Sequence, residues 1–303
     1  MIDLGANSAS VPFGRFRNRI EVFDIIPGTR QLTIPEGWSK IRVAVVGGGG
    51  GGRYVSSPDY HGYGGGGGGG GYAEIELDVV AGQTYTYTVG AGSNRDRDGG
   101  TTSFDGILSA TGGQTATDNT TGASIGGAGG VGIGGSINTS GGNGGNGFDA
   151  NRGGGGGGGA SGHRYGNGGA GGAGAAFIKD YNFINGGFGG SWANTPRPLL
   201  YDDGWGLGIT PYDLPMDAGL FAHYSSSTTL NSTWFSRVGM GTVSTSTAVN
   251  IGGGSCSLYS PPSQGISIQR GGIGGGGGGG GGGTYNILAG GGGLGAVIVE
   301  VLG

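Results

Sequence analysis

The chain has 303 residues, of which 86 are glycine and 10 are proline, and its formal net charge at pH 7 is −4. Glycine plus proline above roughly 25–30% typically indicates low complexity or, with a strict triplet and abundant proline, collagen. Proline is too scarce here for collagen, and 34% of the residues are hydrophobic and fall in short alternating stretches. This pattern favours an ordered protein. The acidic excess and the scarcity of lysine, with only Lys40 and Lys179, argue against nucleic-acid binding.

The chain shows no targeting or membrane signal. The start, 1–5, has no basic or apolar leader region, and apolar runs such as 43–46 are too short to cross a bilayer. The single cysteine, Cys256, excludes an intrachain disulfide and a cysteine-based zinc cage. We therefore expect a soluble, unprocessed chain in which something other than disulfides or metals orders the glycine.

Alternation of apolar and polar residues predicts short strands, and no stretch has a convincing helical period. Leu32, Ile34 and then Ile41, Val43, Val45 indicate two half-buried strands joined through 35–38. The segments 72–80 and 84–89 alternate in the same way, and 81–83 between them is expected to be a hairpin turn. A further short strand is expected around 104–108, and a β-branched strand at 296–302 with Val297, Val299 and Val301 on one face.

The glycine is concentrated in five runs, each next to a strand-like or polar segment. These runs are 47–52, 64–71, 153–159, 274–283 and 290–293, and G-G-x triplets recur at 126–131, 141–146 and 168–173. A helix of the polyproline II type has three residues per turn, so every third residue lies on one edge. All-glycine runs can therefore be surrounded by other chains, whereas G-G-x runs can pack on two edges and present x outward.

Ordering so much glycine is costly, because fixing one backbone residue costs roughly 1–2 kcal/mol and glycine has most freedom to lose. An extended glycine helix also leaves every N–H and C=O without a partner inside its own chain. Lateral hydrogen bonds between neighbouring runs can satisfy these groups. The alternative, that the runs are flexible linkers, would scatter the short strands. The sequence therefore predicts an all-β fold in which short strands alternate with glycine helices that bond to one another side by side.

Two segments differ in composition from this pattern. The segment 191–250 is rich in aromatic residues and proline and is expected to be an insertion with its own core or a docked surface. The first 28 residues, in which Arg15, Arg17 and Arg19 alternate with apolar residues, are interpreted either as an arm or edge strand that docks to a partner or as an ordinary first strand. The predicted division is therefore an N-terminal docking arm, 1–28, and a glycine-rich domain, 29–303.

The motifs along this chain resemble a known family. Leu32-Thr33-Ile34-Pro35-Glu36-Gly37, the runs 47–52 and 64–71, Val80-Ala81-Gly82-Gln83 and Gly99-Gly100-Thr101-Thr102 are similar to the glycine-rich domain of bacteriophage tail-fibre and other virion appendage proteins. A looser similarity is to the glycine-rich domain of the anaplastic lymphoma kinase receptor. The resemblance implies an all-β fold, a β-sandwich of tumour-necrosis-factor-like or jelly-roll-like type interleaved with a bundle of polyglycine II helices, on a phage particle and with loops at the bundle tip that touch the host.

Motifs for catalysis are uninformative or absent. The G-x-S-x-G match at 122–126 is expected by chance in so glycine-rich a chain, and neither lysine stands in a P-loop. The three histidines, His61, His163 and His223, are widely spaced and include no H-E-x-x-H. Asp202-Asp203 are adjacent, so in a strand they would point apart and could not serve as a glycosidase pair. We expect no enzymatic activity and no cofactor.

Two kinds of binding residue are candidates. Asn94, Asp96, Asp98 and Asp105 have the spacing of calcium ligands in an EF-hand loop, although two arginines interleave them, and a polar strand connection is the competing interpretation. Aromatic residues beside Asp and Asn suit saccharide contact, with packing of the insertion as the competing interpretation. The predicted receptor contacts are Tyr54, Tyr60, Trp192, Tyr201, Trp205 and Trp234.

These observations lead to one hypothesis with two alternatives. The chain is expected to be a structural virion protein, a tail-fibre or receptor-binding adhesin, homotrimeric and assembled in the host cytoplasm. It would dock to other virion proteins through Arg15, Arg17 and Arg19 and bind a host surface glycan or protein. The alternatives are a capsid, collar or head-fibre decoration protein and a polysaccharide depolymerase.

Overall fold

The structure, a computed structural model, describes residues 19–53, 64–117, 124–147, 155–164, 166–173, 177–178, 183–184, 274–276 and 289–302. Within these residues the protein is all-β and contains no helix, in agreement with the sequence prediction. Two antiparallel five-stranded sheets share one apolar core and form a β-sandwich. No helix long and apolar enough to cross a membrane occurs among the described residues.

The strands in chain order are β1 (Arg19–Asp24), β2 (Gly28–Thr33), β3 (Lys40–Val46), β4 (Tyr72–Asp78), β5 (Thr84–Val89), β6 (Thr102–Phe104), β7 (Leu108–Ala110), β8 (Gly132–Ile133), β9 (Ile137–Thr139), β10 (Phe177–Ile178), β11 (Phe183–Ile184) and β12 (Ala296–Val301). The first sheet has the order β1-β12-β3-β4-β9, and the second sheet has the order β2-β5-β6-β7-β8. Strands β10 and β11 form a separate two-stranded antiparallel sheet.

The alternating residues form the core as predicted. Ile41, Val43 and Val45 of β3 are fully buried, and Val297 and Val299 of β12 lie beside them. The second sheet, with the residue that follows β2, contributes an opposing set of buried side chains, namely Ile34, Tyr87, Val89, Phe104, Leu108 and Ala110. Because successive side chains of a strand point to opposite faces, period 2 was enough to identify this core.

The predicted hairpin at 81–83 is wrong. Strand β4 pairs with β3 and β9 in the first sheet, whereas β5 pairs with β2 and β6 in the second. The turn, with Gly82 at φ 84°, therefore carries the chain from one sheet to the other. The turn is hydrogen-bonded to Ile34, the residue that follows β2. Ile34 donates its N–H to the Gln83 carbonyl, and Gly82 donates its N–H to the Ile34 carbonyl. Turn residues mark a reversal of the chain but do not specify which sheet it joins.

The single strand predicted around 104–108 is also wrong, because this segment is a hairpin turn between β6 and β7. Asp105 and Gly106 both have positive φ, 48° and 68°, and Ile107 donates its N–H to the Phe104 carbonyl. Asp-Gly is a strong tight-turn signal because these residues tolerate positive φ. The prediction overlooked it and continued the strand through the turn.

Part of the predicted docking arm is a strand of the sandwich. Strand β1, which begins at Arg19, is the edge strand of the first sheet and pairs with β12. An edge strand fits both interpretations of 1–28, so the docking role of this segment stays a prediction. Arg15 and Arg17 lie outside the described residues.

Glycine rods form the second half of the architecture. The chain leaves the sandwich as a rod after β3, β5, β7 and β9, and returns as a rod before β4, β6, β8 and β12. The rod 47–53 donates hydrogen bonds with period 3 to three neighbours. Its pairs are Gly47 to Gly71, Gly50 to Gly68, Arg53 to Gly65, Gly48 to Gly100, Gly51 to Arg97, Gly49 to Gly293 and Gly52 to Gly290. This period is that of a polyproline II helix.

The rod 64–71 lies at the centre of the bundle. Its N–H groups donate to the segments 142–145, 111–114 and 274–276, and its carbonyls accept from 47–53, 127–130 and 156–162. Six neighbours leave no edge for a side chain, and every residue of this rod is buried. The prediction that all-glycine runs are surrounded on every side is confirmed here.

The G-G-x rods lie at the surface with x outward, as predicted. Ala128, Asn143, Asn146 and Ala170 are exposed, whereas the glycines around them are buried or half-buried. The rods 125–131, 140–147 and 166–173 lie side by side as one layer, because Gly144 donates to Gly127 and Gly171 donates to Asn143.

Candidate functional site

The rod ends farthest from the sandwich meet at one surface, which we call the distal tip. Its described residues are Arg53, 94–98, 115–117, 124–125 and 146–147. They are joined by Asp96 donating to Gly52, Thr117 paired with Ile125, and Gly147 donating to Ser124. The Ser124 hydroxyl also accepts the N–H of Gly65, and the Gly65 carbonyl accepts the N–H of Arg53. Segments distant in sequence therefore meet at this end of the bundle.

The charged part of the distal tip is the connection 94–98. Asp98 accepts the Thr115 N–H at 2.7 Å, and Arg53 lies 3.6 Å from Asp96. Asp96 has φ 59°, a left-handed conformation that Asp tolerates better than most residues. The connection therefore carries both positive and negative side chains, and the contacts of Asp96 and Asp98 hold it in place.

The structure does not bring the four calcium candidates together as one site. Asp98 binds the Thr115 N–H, whereas Asp105 lies in the β6–β7 turn and accepts the Thr86 N–H at 3.1 Å. Among the described residues, no group of three or more His, Cys, Asp or Glu side chains is placed to hold a metal ion.

The predicted receptor contacts cannot be placed. Tyr54, Tyr60, Trp192, Tyr201, Trp205 and Trp234 all lie outside the described residues. The flanks of 54–63 are described, however, because Arg53 donates its N–H to Gly65 at 2.9 Å. Both rods that border Tyr54 and Tyr60 in the sequence therefore end at the distal tip.

A second polar cluster lies at the base of the bundle, on the outer face of the first sheet. Glu74 of β4 is buried and accepts two hydrogen bonds from Arg164. Nη2 donates to Oε1 at 2.6 Å, and Nε donates to Oε2 at 3.0 Å. The Tyr72 hydroxyl also donates to Glu74. Arg42 extends the cluster by two ion pairs. Its Nη1 lies 2.6 Å from Glu300 Oε2, and its Nη2 lies 2.9 Å from Glu76 Oε1.

The electrostatics of this cluster follow from burial and pairing. Burial, and then the charge of Glu74, raises the pKa of Tyr72 well above its ordinary value. Hydrogen bonds donated by Lys40 and Arg42 lower the pKa of Glu76. Since Arg164 belongs to the turn between rods 155–162 and 166–173, the cluster fixes the bundle to the sheet. It is a structural anchor.

Sequence reasoning missed this anchor. The period of β4 places Glu74 on the polar face, which predicts exposure, and the structure buries it. Arg164 stands 90 residues away in a glycine-rich segment. No local pattern links the two residues, so only the folded bundle identifies the pair.

Comparison with known proteins gives one family. A family model described as a glycine-rich domain matches residues 25–206, which is more than half of the chain and includes strands β2 to β11. The chain matches no curated protein.

Proposed function

Since this chain belongs to the glycine-rich domain family, we propose that it is a structural protein of a bacteriophage virion. More specifically, we propose a tail-fibre or receptor-binding component that attaches the particle to its host. Its role would be binding, without catalysis or a cofactor. The motif resemblance to virion appendage proteins supports the phage context, and the arrangement of the rods supports the adhesive role.

The observation that carries the proposal is the convergence of the rod ends at the distal tip. Rods held by backbone hydrogen bonds along their length have little freedom to bend. A ligand bound at the tip therefore meets preorganised connections, which reduces the entropy cost of binding.

The proposal assigns separate roles to separate ends. Tyr54 and Tyr60, bordered by rods that reach the tip, would contact a host glycan or protein, together with Trp192, Tyr201, Trp205 and Trp234. The segment before β1, with Arg15 and Arg17, would dock to other virion proteins. A homotrimer would present three tips and increase avidity through multivalent contact.

Competition for adsorption tests this function. Host cells are incubated with the purified full chain before phage is added, and the adsorption rate is measured as a function of protein concentration. We expect a dose-dependent decrease that is weakened by Tyr54→Ser with Tyr60→Ser. The matched control is Tyr85→Ser, a half-buried tyrosine of the sandwich, with folding of all variants checked by thermal melting.

Other outcomes distinguish the alternatives. Unchanged adsorption at saturating protein, with particles that lose stability when the chain is missing, would replace the adhesin by a decoration protein. Release of reducing sugar from host polysaccharide would replace it by a depolymerase.

A further inference from the structure

The outer layer of rods, followed along the chain, ends at the rod 166–173. Among the described residues this rod is bonded to two neighbouring rods, 140–147 and 155–162, whereas the central rod 64–71 has six neighbours. None of its residues is buried, and Ala170 is exposed. One side of this rod therefore faces away from the described part of the bundle.

The amides on that side have a regular spacing. Gly168 and Gly171 donate their N–H groups to the first neighbouring rod, and the carbonyls of Gly169 and Gly172 accept from the second. The bonds to these two rods do not use the N–H groups of Gly169 and Gly172, which the period of three places on one edge, about 9.3 Å apart. We call this edge the open edge. Backbone carbonyls of another rod have the same period and match it.

The chain itself turns back toward the open edge. Strands β10 and β11 follow the rod 166–173 and pair antiparallel, with Phe177 opposite Ile184, so the chain reverses its direction. The next residues, 185–190, lie outside the described residues. Their sequence is Asn-Gly-Gly-Phe-Gly-Gly, which has the G-G-x pattern of the outer rods. The antiparallel pairing therefore directs a rod-forming sequence back along the rod 166–173.

The outer layer already contains one such reversal. The rod 125–131 is followed by β8, a turn, β9 and then the rod 140–147. Val131 and Ser140 form an antiparallel bridge, and hydrogen bonds between the two rods continue from this bridge toward the distal tip. In this molecule, two G-G-x rods on either side of a reversal therefore lie antiparallel and side by side.

We propose that residues 185–190 form a further rod of the bundle, which binds the open edge of the rod 166–173. Continuing the register of β10 and β11 by one residue at a time places Phe188 opposite Ala173 and Gly189 opposite Gly172. The carbonyls of 185–190 then accept from the open edge. Phe188 takes the x position and points outward, as Ala128 does in the first rod of this layer.

This rod determines where the insertion 191–250 begins. The same register places its first residue opposite Ala170, in the middle of a rod and not at its end. The insertion then leaves from the flank of the bundle, so Trp192 belongs to a surface separate from the one proposed for Tyr54 and Tyr60. The rod does not depend on the adhesive role, so the adsorption assay and the experiments below can fail independently.

Disulfide formation across the register tests this rod. Ala173→Cys with Phe188→Cys is introduced into a Cys256→Ser chain, which has no other thiol. Hydrogen-bonded antiparallel neighbours bring opposite Cα atoms into the range of about 4.4–6.8 Å that a disulfide requires. The control is Ala128→Cys with Phe188→Cys in the same chain, because Ala128 lies on a rod that the proposal does not place beside 185–190.

Mild oxidation followed by non-reducing electrophoresis and mass spectrometry reads the result. We expect an intrachain disulfide for the pair 173 and 188 and none for the control pair. A disulfide that forms only between chains would overturn the proposal, because a second copy would then occupy the open edge. No disulfide, or equal yields for both pairs, would also overturn it.

Hydrogen exchange gives an independent measurement with matched substitutions. Gly189→Val adds a side chain where the rods touch, whereas Phe188→Val leaves one at the outward x position. We expect amide exchange at Gly172 to accelerate about tenfold or more in Gly189→Val, because its acceptor is displaced, and to stay unchanged in Phe188→Val. Unchanged exchange at Gly68 shows that the bundle remains folded. A Gly172 amide that is unprotected in the wild type, or equally affected by both variants, contradicts the rod.

Discussion

Tyr87 of the second sheet donates its hydroxyl hydrogen to Asp24 of the first sheet at 3.0 Å. Asp24 also pairs with Arg30 at 3.0 Å and accepts the Ile26 N–H. These contacts join β1, an edge strand of the first sheet, to β2 and β5 of the second sheet. Burial, with the hydrogen bond to Asp24, raises the pKa of Tyr87.

Removing the Tyr87 hydroxyl tests this contact between the two sheets. Tyr87→Phe is expected to lower the free energy of unfolding by about 1–2 kcal/mol, because a hydrogen bond to a charged acceptor is lost. Urea denaturation measures the change. Tyr85→Phe is the control, since its hydroxyl bonds to exposed Gln83 at 3.2 Å. Similar losses for both variants would show that Asp24 adds nothing to the contact.

The central rod is expected to tolerate no side chain. A Cβ on Gly68 would overlap the Ala128 carbonyl, whereas a Cβ on Gly166 would meet its nearest atom, a His163 ring carbon, at 4.0 Å. Gly68→Ala should therefore cost about 1–3 kcal/mol or more through overpacking. Gly166→Ala should stay within about 1 kcal/mol of wild type. Equal melting temperatures for the two variants would contradict a six-neighbour rod.

Asparagine side chains are expected to protect the outer layer of rods. Asn143→Ala removes the acceptor of the Gly129 N–H, so amide exchange at Gly129 should accelerate and stability should fall by about 0.5–1.5 kcal/mol. Asn143→Asp keeps a side-chain oxygen and should preserve the protection. Hydrogen exchange resolved by residue checks both variants. Unchanged amide exchange at Gly129 in Asn143→Ala would mean that the Asn143 side chain does not protect this amide.

Stability is expected to fall in alkaline solution. Because burial raises the pKa of Tyr72, the folded chain keeps this proton at pH values where the unfolded chain releases it. The contribution is fully present below the unfolded pKa, about 10, and is lost as pH rises from there through the folded pKa. Urea midpoints between about pH 8 and about pH 11 measure the loss. Tyr72→Phe should reduce the slope, and an unchanged slope would exclude Tyr72 as a source.

The sequence by itself determined which strand faces are buried and where the glycine rods run. Alternation identified the buried faces of β3, β5 and β12, because period 2 follows from strand geometry alone. Glycine runs and G-G-x triplets predicted buried rods and outward x residues such as Ala128 and Asn143, because period 3 follows from the polyproline II helix. Each of these predictions depends on residues that lie close together in the sequence.

Only the tertiary structure decided which segments meet. It placed β4 and β5 in different sheets, separated Asp98 from Asp105, and paired Glu74 with Arg164 across 90 residues. Lateral hydrogen bonds between rods join backbone groups that are alike at every glycine, so the sequence carries no label for the partner of a given rod. The packing of the bundle supplies that choice, and with it the position of the distal tip.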